Sequence, residues 1–267
     1  MDTVVITGSA RGLGFEMAKC FRKKGFNVVI SDLYKKDLEA AKSELLKVSG
    51  NGNVDYFVCD ITMESDIINL IKGVKKRYDT IDFWINNAGV NQPDKMIWEM
   101  SSDEIDKMIE IDLKGTIVAS KHIAEFMISQ GFGAIYNVEG HGSNDAIIPG
   151  LSIYGTAKRG ITYFTMALAQ ELEKSRKDII VGRLSPGIMI TDFLVNSFRN
   201  NKIELNSKTK KIYNILGDYP DVVAKFLVSK MINNNDNNIR INWLTTGRVM
   251  RKFMMASFKK RDVFKEK

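Results

Sequence analysis

Tyr154 and Lys158 lie four residues apart in the stretch YGTAK. On a helix this spacing places both side chains on one face, so the Lys158 ammonium can lie near the Tyr154 phenol. A free phenol has a pKa near ~10, and a neighbouring cation favours the phenolate and lowers that value. The pair predicts that Tyr154 acts as general acid in carbonyl reduction or general base in alcohol oxidation. Taken alone, the same spacing is also typical of a solvent-exposed helix face.

A glycine-rich loop, TGSARGLG, follows the first strand-like run and opens a helix. Its glycines allow a tight turn and a close approach to a pyrophosphate, whose charge the helix N-terminus would stabilise. Asp32 ends the next strand, where a carboxylate accepts hydrogen bonds from an adenosine ribose and repels a 2′-phosphate. Arg11 argues in the other direction, because a guanidinium can pair with that phosphate. We expect NAD(H) as the cofactor, with NADP(H) as the alternative.

Short apolar runs alternate with helical patterns along the chain. The strand candidates are TVVIT, NVVIS, VDYFV, FWIN, GAIYNV, IIVGRL and IRINW. Because they are apolar throughout and helices separate them, we expect a Rossmann-like, doubly wound α/β fold with a seven-stranded parallel sheet. Ser101 and Glu104 are spaced as a capping box at the start of one long helix, from Asp103 to about Gln130. No linker divides the chain, so residues 1–267 are expected to form a single domain.

The composition is that of a globular protein, with 44% hydrophobic and 27% charged residues. The net charge of +7 is spread along the chain instead of forming one stripe, which argues against nucleic-acid binding. The spacing of Cys20 and Cys59 suggests no metal site, and both are expected to be buried apolar side chains. The first strand-like run starts at Thr3, which leaves no room for a targeting segment, so we expect a cytoplasmic protein.

The motifs together resemble the short-chain dehydrogenase/reductase (SDR) family over nearly the whole chain. The matching pieces occur in the family's order: TGSARGLG, Asp60 after the third strand, NNAG, Tyr154 with Lys158, and SPG followed by Thr191. The resemblance implies hydride transfer between a small-molecule substrate and a nicotinamide, in a homodimer or homotetramer. The cofactor-binding residues it implies are Gly8, Ser9, Arg11, Gly12, Leu13, Gly14, Asp32, Asp60, Ile61, Asn87, Ala88, Gly89, Tyr154, Lys158, Pro186, Gly187 and Thr191.

Two positions depart from the family pattern. Asp112 lies in IDLKG, where the family usually has an asparagine that holds a water of the proton relay, and an ionised carboxylate cannot donate. Gly140 lies where the family usually has the serine that steadies the substrate oxygen. Ser143 is the nearest hydroxyl that can replace it, and His141 is the competitor, because an imidazole N–H can donate to an oxyanion. The catalytic candidates are Tyr154, Lys158, Ser143 and Asp112.

Several stretches resemble the chlorophyll(ide) b reductase branch, which reduces the formyl group of the ring to hydroxymethyl. They are FWINNAGVN, YNVEGHGS, YGTAKRGI, SPGIMITDFL and RINWLTTGRVMRKFM. That branch retains the relay asparagine, and its cofactor strand suits NADPH, unlike Asp112 and Asp32 of this chain. We expect an NAD(P)(H)-dependent oxidoreductase acting on the carbonyl or alcohol of a bulky, largely apolar substrate. The alternatives are a family member acting on a smaller ketone, and a catalytically silent dinucleotide-binding sensor or scaffold.

Two C-terminal segments are expected to lie beside the site or on the surface. Residues 187–219 form a long connection, typical of a substrate-binding loop or lid. Residues 247–267 form a basic amphipathic extension, whose apolar face is expected to pack on its own or a partner subunit. Contact with an anionic membrane surface is the alternative. The apolar residues of the lid, which would cover the substrate or pack as a short helix, are Met189, Ile190, Phe193, Leu194 and Phe198.

Overall fold

The computed structural model describes residues 1–92, 95–191, 207–256, 258 and 261–264. Strands and helices alternate along the chain. The strands are β1 (Thr3–Thr7), β2 (Asn27–Asp32), β3 (Val54–Val58), β4 (Phe83–Asn86), β5 (Phe132–Val138), β6 (Asp178–Ser185) and β7 (Ile239–Asn242). The helices are α1 (Gly12–Lys23), α2 (Lys35–Lys47), α3 (Glu64–Tyr78), α4 (Ser102–Met108), α5 (Thr116–Gln130), α6 (Ser152–Glu173), α7 (Ser207–Leu216), α8 (Pro220–Ile232) and α9 (Thr246–Ala256).

The strands of the described residues form one parallel sheet in the order β3-β2-β1-β4-β5-β6-β7. The chain runs outward from β1 on one side and from β4 on the other, so the strand order reverses between these two strands. The carboxyl ends of the strands leave a crevice at such a switch point, which is the usual ligand site of this architecture. The predicted seven-stranded, doubly wound fold is therefore confirmed.

The sheet is buried on both faces because its strands are apolar throughout. Along β1, Val4 and Ile6 pack toward α1, α2 and α8, whereas Val5 packs toward α3, α5 and α6. This alternation follows from the two-residue period of a strand. Trp84 of β4, one of the largest fully buried side chains, lies in the second layer. Helices on both faces leave the ends of the strands free to build a site.

The predicted long helix is interrupted. A segment with π-helical hydrogen bonding, Ile109–Gly115, joins α4 to α5, and the expected capping box of Ser101 with Glu104 begins α4. Gly115 ends the π segment against the backbone of Ile61, where a β-carbon would lie 2.9 Å from the carbonyl oxygen. The wider turn contains Asp112 and changes the register between the two helices. Such π segments are frequent at functional sites.

The C-terminal helix α9 turns its basic side toward the protein. The Arg248 guanidinium lies 3.6 Å from the ring centre of Trp243, and Lys252 Nζ lies 2.6 Å from Asp218 Oδ2. Among the described residues of the extension, Val263 and Phe264 pack on this chain as expected, whereas the apolar side of α9 is exposed and the stacked and paired basic groups make its contacts. Packing of that exposed side on a partner subunit stays a prediction. The exposed apolar side chains of the extension are Met250, Phe253, Met254, Met255 and Phe258.

Candidate active site

The glycine-rich loop joins β1 to α1 at the carboxyl edge of the sheet. Gly8 and Gly12 have positive φ angles of 59° and 62°, which glycine adopts without steric cost. A β-carbon at Gly8 would lie 2.6 Å from Cα of Ala88, whereas one at Gly12 would meet nothing within 4 Å. The open space at Gly12 lies beside the N-terminus of α1, so the loop fits the phosphates of a dinucleotide.

Side-chain hydrogen bonds hold this loop against the neighbouring strands. The buried Ser9 hydroxyl donates to the Ile6 carbonyl oxygen at 2.6 Å, so it supports the loop from below. Asn87, which follows β4, donates through its amide to the carbonyl oxygens of Thr7 and Gly8 at 3.0 and 2.8 Å. The NNAG stretch therefore shapes the loop through Asn87.

The end of β2 lies beside the same loop. Asp32 Oδ2 accepts a hydrogen bond from the Ala10 N–H at 3.1 Å, which places the carboxylate at the loop's first turn. Arg11 is exposed and precedes α1. The Asp60 carboxylate accepts from the backbone and hydroxyl of Thr62 and so forms the turn after β3. The other predicted cofactor residues, which open α1 or follow β3, β4 and β6, are Leu13, Gly14, Ile61, Ala88, Gly89, Pro186, Gly187 and Thr191.

Tyr154 and Lys158 lie on the first turns of α6, and Lys158 Nζ is 5.5 Å from the Tyr154 ring centre. The same ammonium lies 3.1 Å from Asp112 Oδ2. Asp112 is fully buried, and its Oδ1 accepts a hydrogen bond from the Val90 N–H at 2.7 Å. The structure therefore brings three of the four predicted catalytic residues into one cluster.

The net shift of the Tyr154 pKa differs from the direction expected from the Tyr154–Lys158 spacing alone. Burial raises the pKa of the Tyr154 phenol, Lys158 lowers it, and Asp112 raises it again, with a net upward shift. Lys158 thus lowers the pKa of Tyr154, as predicted. Burial raises that pKa by more, because it disfavours the charged phenolate. Burial also opposes the charged form of Lys158, yet the pKa of Lys158 is raised by the neighbouring Tyr154 and Asp112.

The turn after β5 packs directly on the Tyr154 side chain. A β-carbon at Gly140 would overlap the Tyr154 hydroxyl oxygen, so no serine fits there without a shift of the tyrosine. The buried Ser143 hydroxyl donates to the Lys158 carbonyl oxygen at 3.2 Å and accepts from the Gly140 N–H at 3.3 Å. His141 Nε2 is buried without a hydrogen-bond partner among the described residues, and burial lowers the pKa of the imidazole.

Two residues that the sequence did not indicate also contact this region. The Gln92 side-chain oxygen accepts hydrogen bonds from the N–H groups of Ile153 and Tyr154 at 3.0 Å each, and so caps α6. Burial raises the pKa of Tyr213 on α7, and the charge of Tyr154 raises it further, so the two phenols interact electrostatically. Neither residue lies in a motif, since each reaches Tyr154 only through the tertiary fold.

The predicted lid is described in part. Ile190 is buried in a small apolar cluster with Val263 and Phe264 of the C-terminus, against which Tyr213 packs. Met189 packs against the core cluster and pairs in a β-bridge with Asp218. The remaining predicted lid residues, which lie outside the described residues, are Phe193, Leu194 and Phe198.

Comparison with known proteins places this site in a family. Residues 2–202 match the model of the short chain dehydrogenase family, so the chain belongs to that family. This is a family of nicotinamide-dependent oxidoreductases that act on a carbonyl or alcohol group, so the family prediction is confirmed and the prediction of an enzyme agrees with it.

The similar curated proteins include chlorophyll(ide) b reductases. The chain is 33% identical over 228 residues to chlorophyll(ide) b reductase NOL, chloroplastic, of Oryza sativa subsp. japonica, covering 84% of this chain and 65% of that protein. It is 29% identical over 265 residues to the probable chlorophyll(ide) b reductase NYC1, chloroplastic, of the same organism, covering 92% of this chain and 50% of the relative. The chain thus spans half to about two thirds of the length of these relatives.

Solved structures share the fold at lower identity. Levodione reductase superposes with a TM-score of 0.82 at 23% identity, covering 93% of this chain and 98% of that one. Xylitol dehydrogenase bound to NAD+ gives 0.80 at 20% identity, with 91% and 97% covered. An actinorhodin polyketide ketoreductase with NADPH gives 0.79 at 22% identity, with 91% and 95% covered. Among the described residues of our chain, no helix has the length and apolar character needed to cross a membrane.

Proposed function

We propose that this protein reduces the carbonyl group of a bulky, largely apolar substrate, with the formyl group of a chlorophyll b-like ring as the leading candidate. The 33% identity to a chlorophyll(ide) b reductase over 84% of the chain supports this substrate class most directly. The exchange of the family serine for Gly140, packed on the Tyr154 hydroxyl, supports a site with its own arrangement around the substrate oxygen.

In the proposed reaction Tyr154 gives its proton to the carbonyl oxygen as hydride reaches the carbonyl carbon. The bound nicotinamide supplies that hydride, and the protein orients the substrate and stabilises charge. The reverse reaction requires the Tyr154 phenolate, which takes the proton of the alcohol. Lys158 lies beside the phenol and favours the phenolate. Its side chain would also contact the nicotinamide ribose, as in the family.

Ser143 and His141 are the two candidates for the group that steadies the substrate oxygen. Ser143 has the position in the turn that the chlorophyll(ide) b reductase branch uses. Its hydroxyl proton is engaged with the Lys158 carbonyl oxygen, however, so the serine must exchange that bond to reach a substrate. His141 Nε2 needs no such exchange. We propose that His141 holds the oxygen and that Ser143 supports the turn.

The cofactor-binding loop supports either dinucleotide, and we propose NAD(H) as the preferred one. The Asp32 carboxylate lies beside the first turn of the loop, where it would accept hydrogen bonds from ribose hydroxyls and repel a 2′-phosphate. Equilibrium binding of NADH and NADPH to wild type and Asp32→Ser tests this. Preference for NADPH in the wild-type protein would contradict it, and Arg11→Ala would then show whether the guanidinium binds the phosphate.

The decisive experiment is turnover of a substrate panel with NADH or NADPH. The panel contains chlorophyllide b, pheophorbide b, small aldehydes and cyclic ketones, and each is tested with wild type and Tyr154→Phe. We expect reduction of a ring formyl group by the wild type and at least a hundredfold loss in Tyr154→Phe, because the proton donor is removed. Reduction of small ketones alone would favour the generic alternative. Tight cofactor binding without any turnover would favour the sensor or scaffold.

We also make proposals on the assembly, the domain organisation and the cellular location of the protein. We propose one domain over residues 1–267, a homodimer or homotetramer, and a cytoplasmic location. The exposed apolar side of α9, which includes Met250 and Met254, would contact a partner subunit, with an anionic membrane as the alternative. Sedimentation and vesicle flotation of the intact protein, compared with the chain truncated before Arg248, separate these two outcomes.

A further inference from the structure

Asp112 forms a buried ion pair with Lys158. The asparagine that the family usually has at this position carries no charge and cannot form such a pair. Oδ2 of Asp112 lies 3.1 Å from Lys158 Nζ, and it has no donor other than that ammonium among the described residues. Oδ1 is fixed by the Val90 N–H at 2.7 Å. A β-carbon at Gly89 would lie 3.3 Å from Oδ1 and 3.4 Å from Nζ, so the backbone closes over the pair. The carboxylate is thus held against the ammonium from two sides.

We propose that Asp112 is a positioning residue that neutralises the Lys158 ammonium and so keeps Tyr154 as the neutral phenol, the form that donates a proton to a carbonyl oxygen. The inference rests on the proposed function of Tyr154. It adds that at neutral pH the enzyme carries out reduction and not oxidation. The equilibrium of the reaction is unchanged by this arrangement. What changes is the pH range of each reaction, because reduction needs Tyr154 as the neutral phenol and oxidation needs it as the phenolate.

The charge balance of the pair carries the argument. Whether the shared proton lies on the nitrogen or on the oxygen, the pair has no net charge, so it attracts a phenolate less strongly than a lone ammonium would. An asparagine at this position would leave the protonated Lys158 without that countercharge. With Asp112 in place, the effect of Lys158 is reduced, so burial of the phenol prevails and disfavours the phenolate. The direction of the Tyr154 pKa agrees with this: burial raises it most, Lys158 lowers it, and Asp112 raises it and so offsets part of the effect of Lys158.

Other groups near the phenol do not reverse this balance. Tyr213 of α7, whose pKa is raised by burial and by the charge of Tyr154, is itself a phenol and is neutral in the same pH range. His141 of the turn has a pKa lowered by burial, so it is neutral at pH 7. Gly140 carries no side chain. Among the described residues, Lys158 is therefore the cation that acts on the Tyr154 phenol, and Asp112 is the group that offsets part of its charge.

The working direction follows from the protonation state. With Tyr154 neutral, reduction proceeds at neutral pH and slows only as pH rises through the raised pKa of the phenol. Oxidation needs the phenolate, so its rate is small at neutral pH and increases toward alkaline pH. In Asp112→Asn, Lys158 has no countercharge and lowers the pKa of Tyr154. The pH limits of reduction and of oxidation should therefore both move to lower pH. The substitution keeps a side-chain oxygen that can accept from Val90, so the fold is expected to persist.

The test measures Tyr154 directly by ultraviolet absorbance of phenolate during alkaline titration. The signal of Tyr154 is the difference between each protein and the same protein with Tyr154→Phe. We expect Asp112→Asn to increase the ratio of phenolate to phenol at a given pH by about threefold or more, because a neighbouring negative charge is removed. The matched control is Glu139→Gln, which removes another fully buried carboxylate, paired with Arg240 at 2.7 Å, and should leave the ratio unchanged.

Two results would overturn the proposal. One is the same Tyr154 titration in wild type and Asp112→Asn, provided that circular dichroism shows both folded. The other is phenolate at neutral pH in the wild-type protein. The titration uses neither substrate nor cofactor, so it decides this inference even if the substrate panel gives no turnover. Where a substrate is found, the pH limits of reduction and oxidation must move together in Asp112→Asn.

Discussion

Gln92 holds the backbone of Tyr154, because its side-chain oxygen accepts a hydrogen bond from the Tyr154 N–H at 3.0 Å. It accepts a second hydrogen bond, at the same distance, from the Ile153 N–H. Gln92 is nearly buried and follows the NNAG stretch at the end of β4. The loop that forms part of the cofactor site and the helix that carries the proton donor are therefore tied together at one residue.

Replacing Gln92 by alanine should weaken both stability and activity. Loss of the cap leaves two N–H groups of α6 without their partner and should lower the free energy of unfolding by about 1 kcal/mol. It should also lower kcat by about tenfold, because the Tyr154 phenol loses a fixed position. Urea unfolding and steady-state kinetics measure the two effects.

The matched control for Gln92 is Ser101→Ala. Ser101 caps α4 by accepting from the Glu104 N–H at 3.2 Å, on an exposed turn. Its loss should cost a similar free energy of unfolding with kcat unchanged, since it does not hold Tyr154. Equal kcat values in wild type and Gln92→Ala would show that the cap serves stability alone.

Restoring a side chain at Gly140 should damage the enzyme, although the family usually has a serine there. A β-carbon at this position would overlap the Tyr154 hydroxyl oxygen and lie 3.0 Å from Lys158 Cγ. Gly140→Ala should therefore displace the phenol and lower kcat by about a hundredfold, while the protein stays folded. Kinetics and thermal unfolding give the two readouts.

Gly247→Ala is the control for this substitution. A β-carbon at Gly247 would meet nothing within 4 Å, and this glycine lies in α9. Alanine there should leave kcat unchanged and slightly raise stability, because glycine is the poorer helix former. Full activity of Gly140→Ala would mean that Tyr154 tolerates displacement, which would contradict its proposed function as proton donor.

The sequence predicts those parts of the site that depend on neighbours along the chain. The spacing of Tyr154 and Lys158 on one helix face, and the open turn at Gly12, follow from local geometry and were found. The cap from Gln92 joins residues 62 positions apart, so no local pattern contains it. The net pKa direction of Tyr154 depends on burial by the assembled fold. The sequence carries the charges, but only tertiary packing determines how strongly water screens them.

Replacing His141 and replacing Ser143 should have different effects on kcat and on the free energy of unfolding. His141→Ala removes a buried ring nitrogen that has no hydrogen-bond partner among the described residues, and should lower kcat by about a hundredfold if that nitrogen donates to the substrate oxygen. Ser143→Ala removes a buried hydrogen bond to the Lys158 carbonyl oxygen, and should instead lower the free energy of unfolding by about 1 kcal/mol. Steady-state kinetics and urea unfolding of both variants check this.

The other histidine of the chain provides the control. His122 lies on α5 with Nε2 2.6 Å from Glu64 Oε1, and it belongs to no part of the proposed site. His122→Ala should leave kcat unchanged. A large loss of kcat in Ser143→Ala, with His141→Ala close to wild type, would assign the substrate oxygen to Ser143 instead.

Asp218 should be the residue that secures the C-terminal extension. Its carboxylate accepts from the Trp243 indole N–H at 2.6 Å and pairs with Lys252 at 2.6 Å, in a mostly buried position. Asp218→Asn would leave the Lys252 ammonium without its countercharge, and should lower the free energy of unfolding by about 2 kcal/mol. The matched substitution is Asp145→Asn, whose exposed pair with Arg159 should contribute less than about 1 kcal/mol.

The same substitution should affect substrate binding more than the chemical step. The backbone of Asp218 exchanges hydrogen bonds with Ile188 and Ile190, at 3.0 and 2.9 Å, so it anchors the beginning of the predicted lid. Loosening the side-chain contacts should raise KM severalfold while kcat changes little, because Tyr154 and Lys158 lie on a separate helix. A fall in kcat at constant KM would instead connect the C-terminal extension to the proton donor, through Tyr213 of α7, which packs on Val263 and Phe264 and whose pKa the charge of Tyr154 raises.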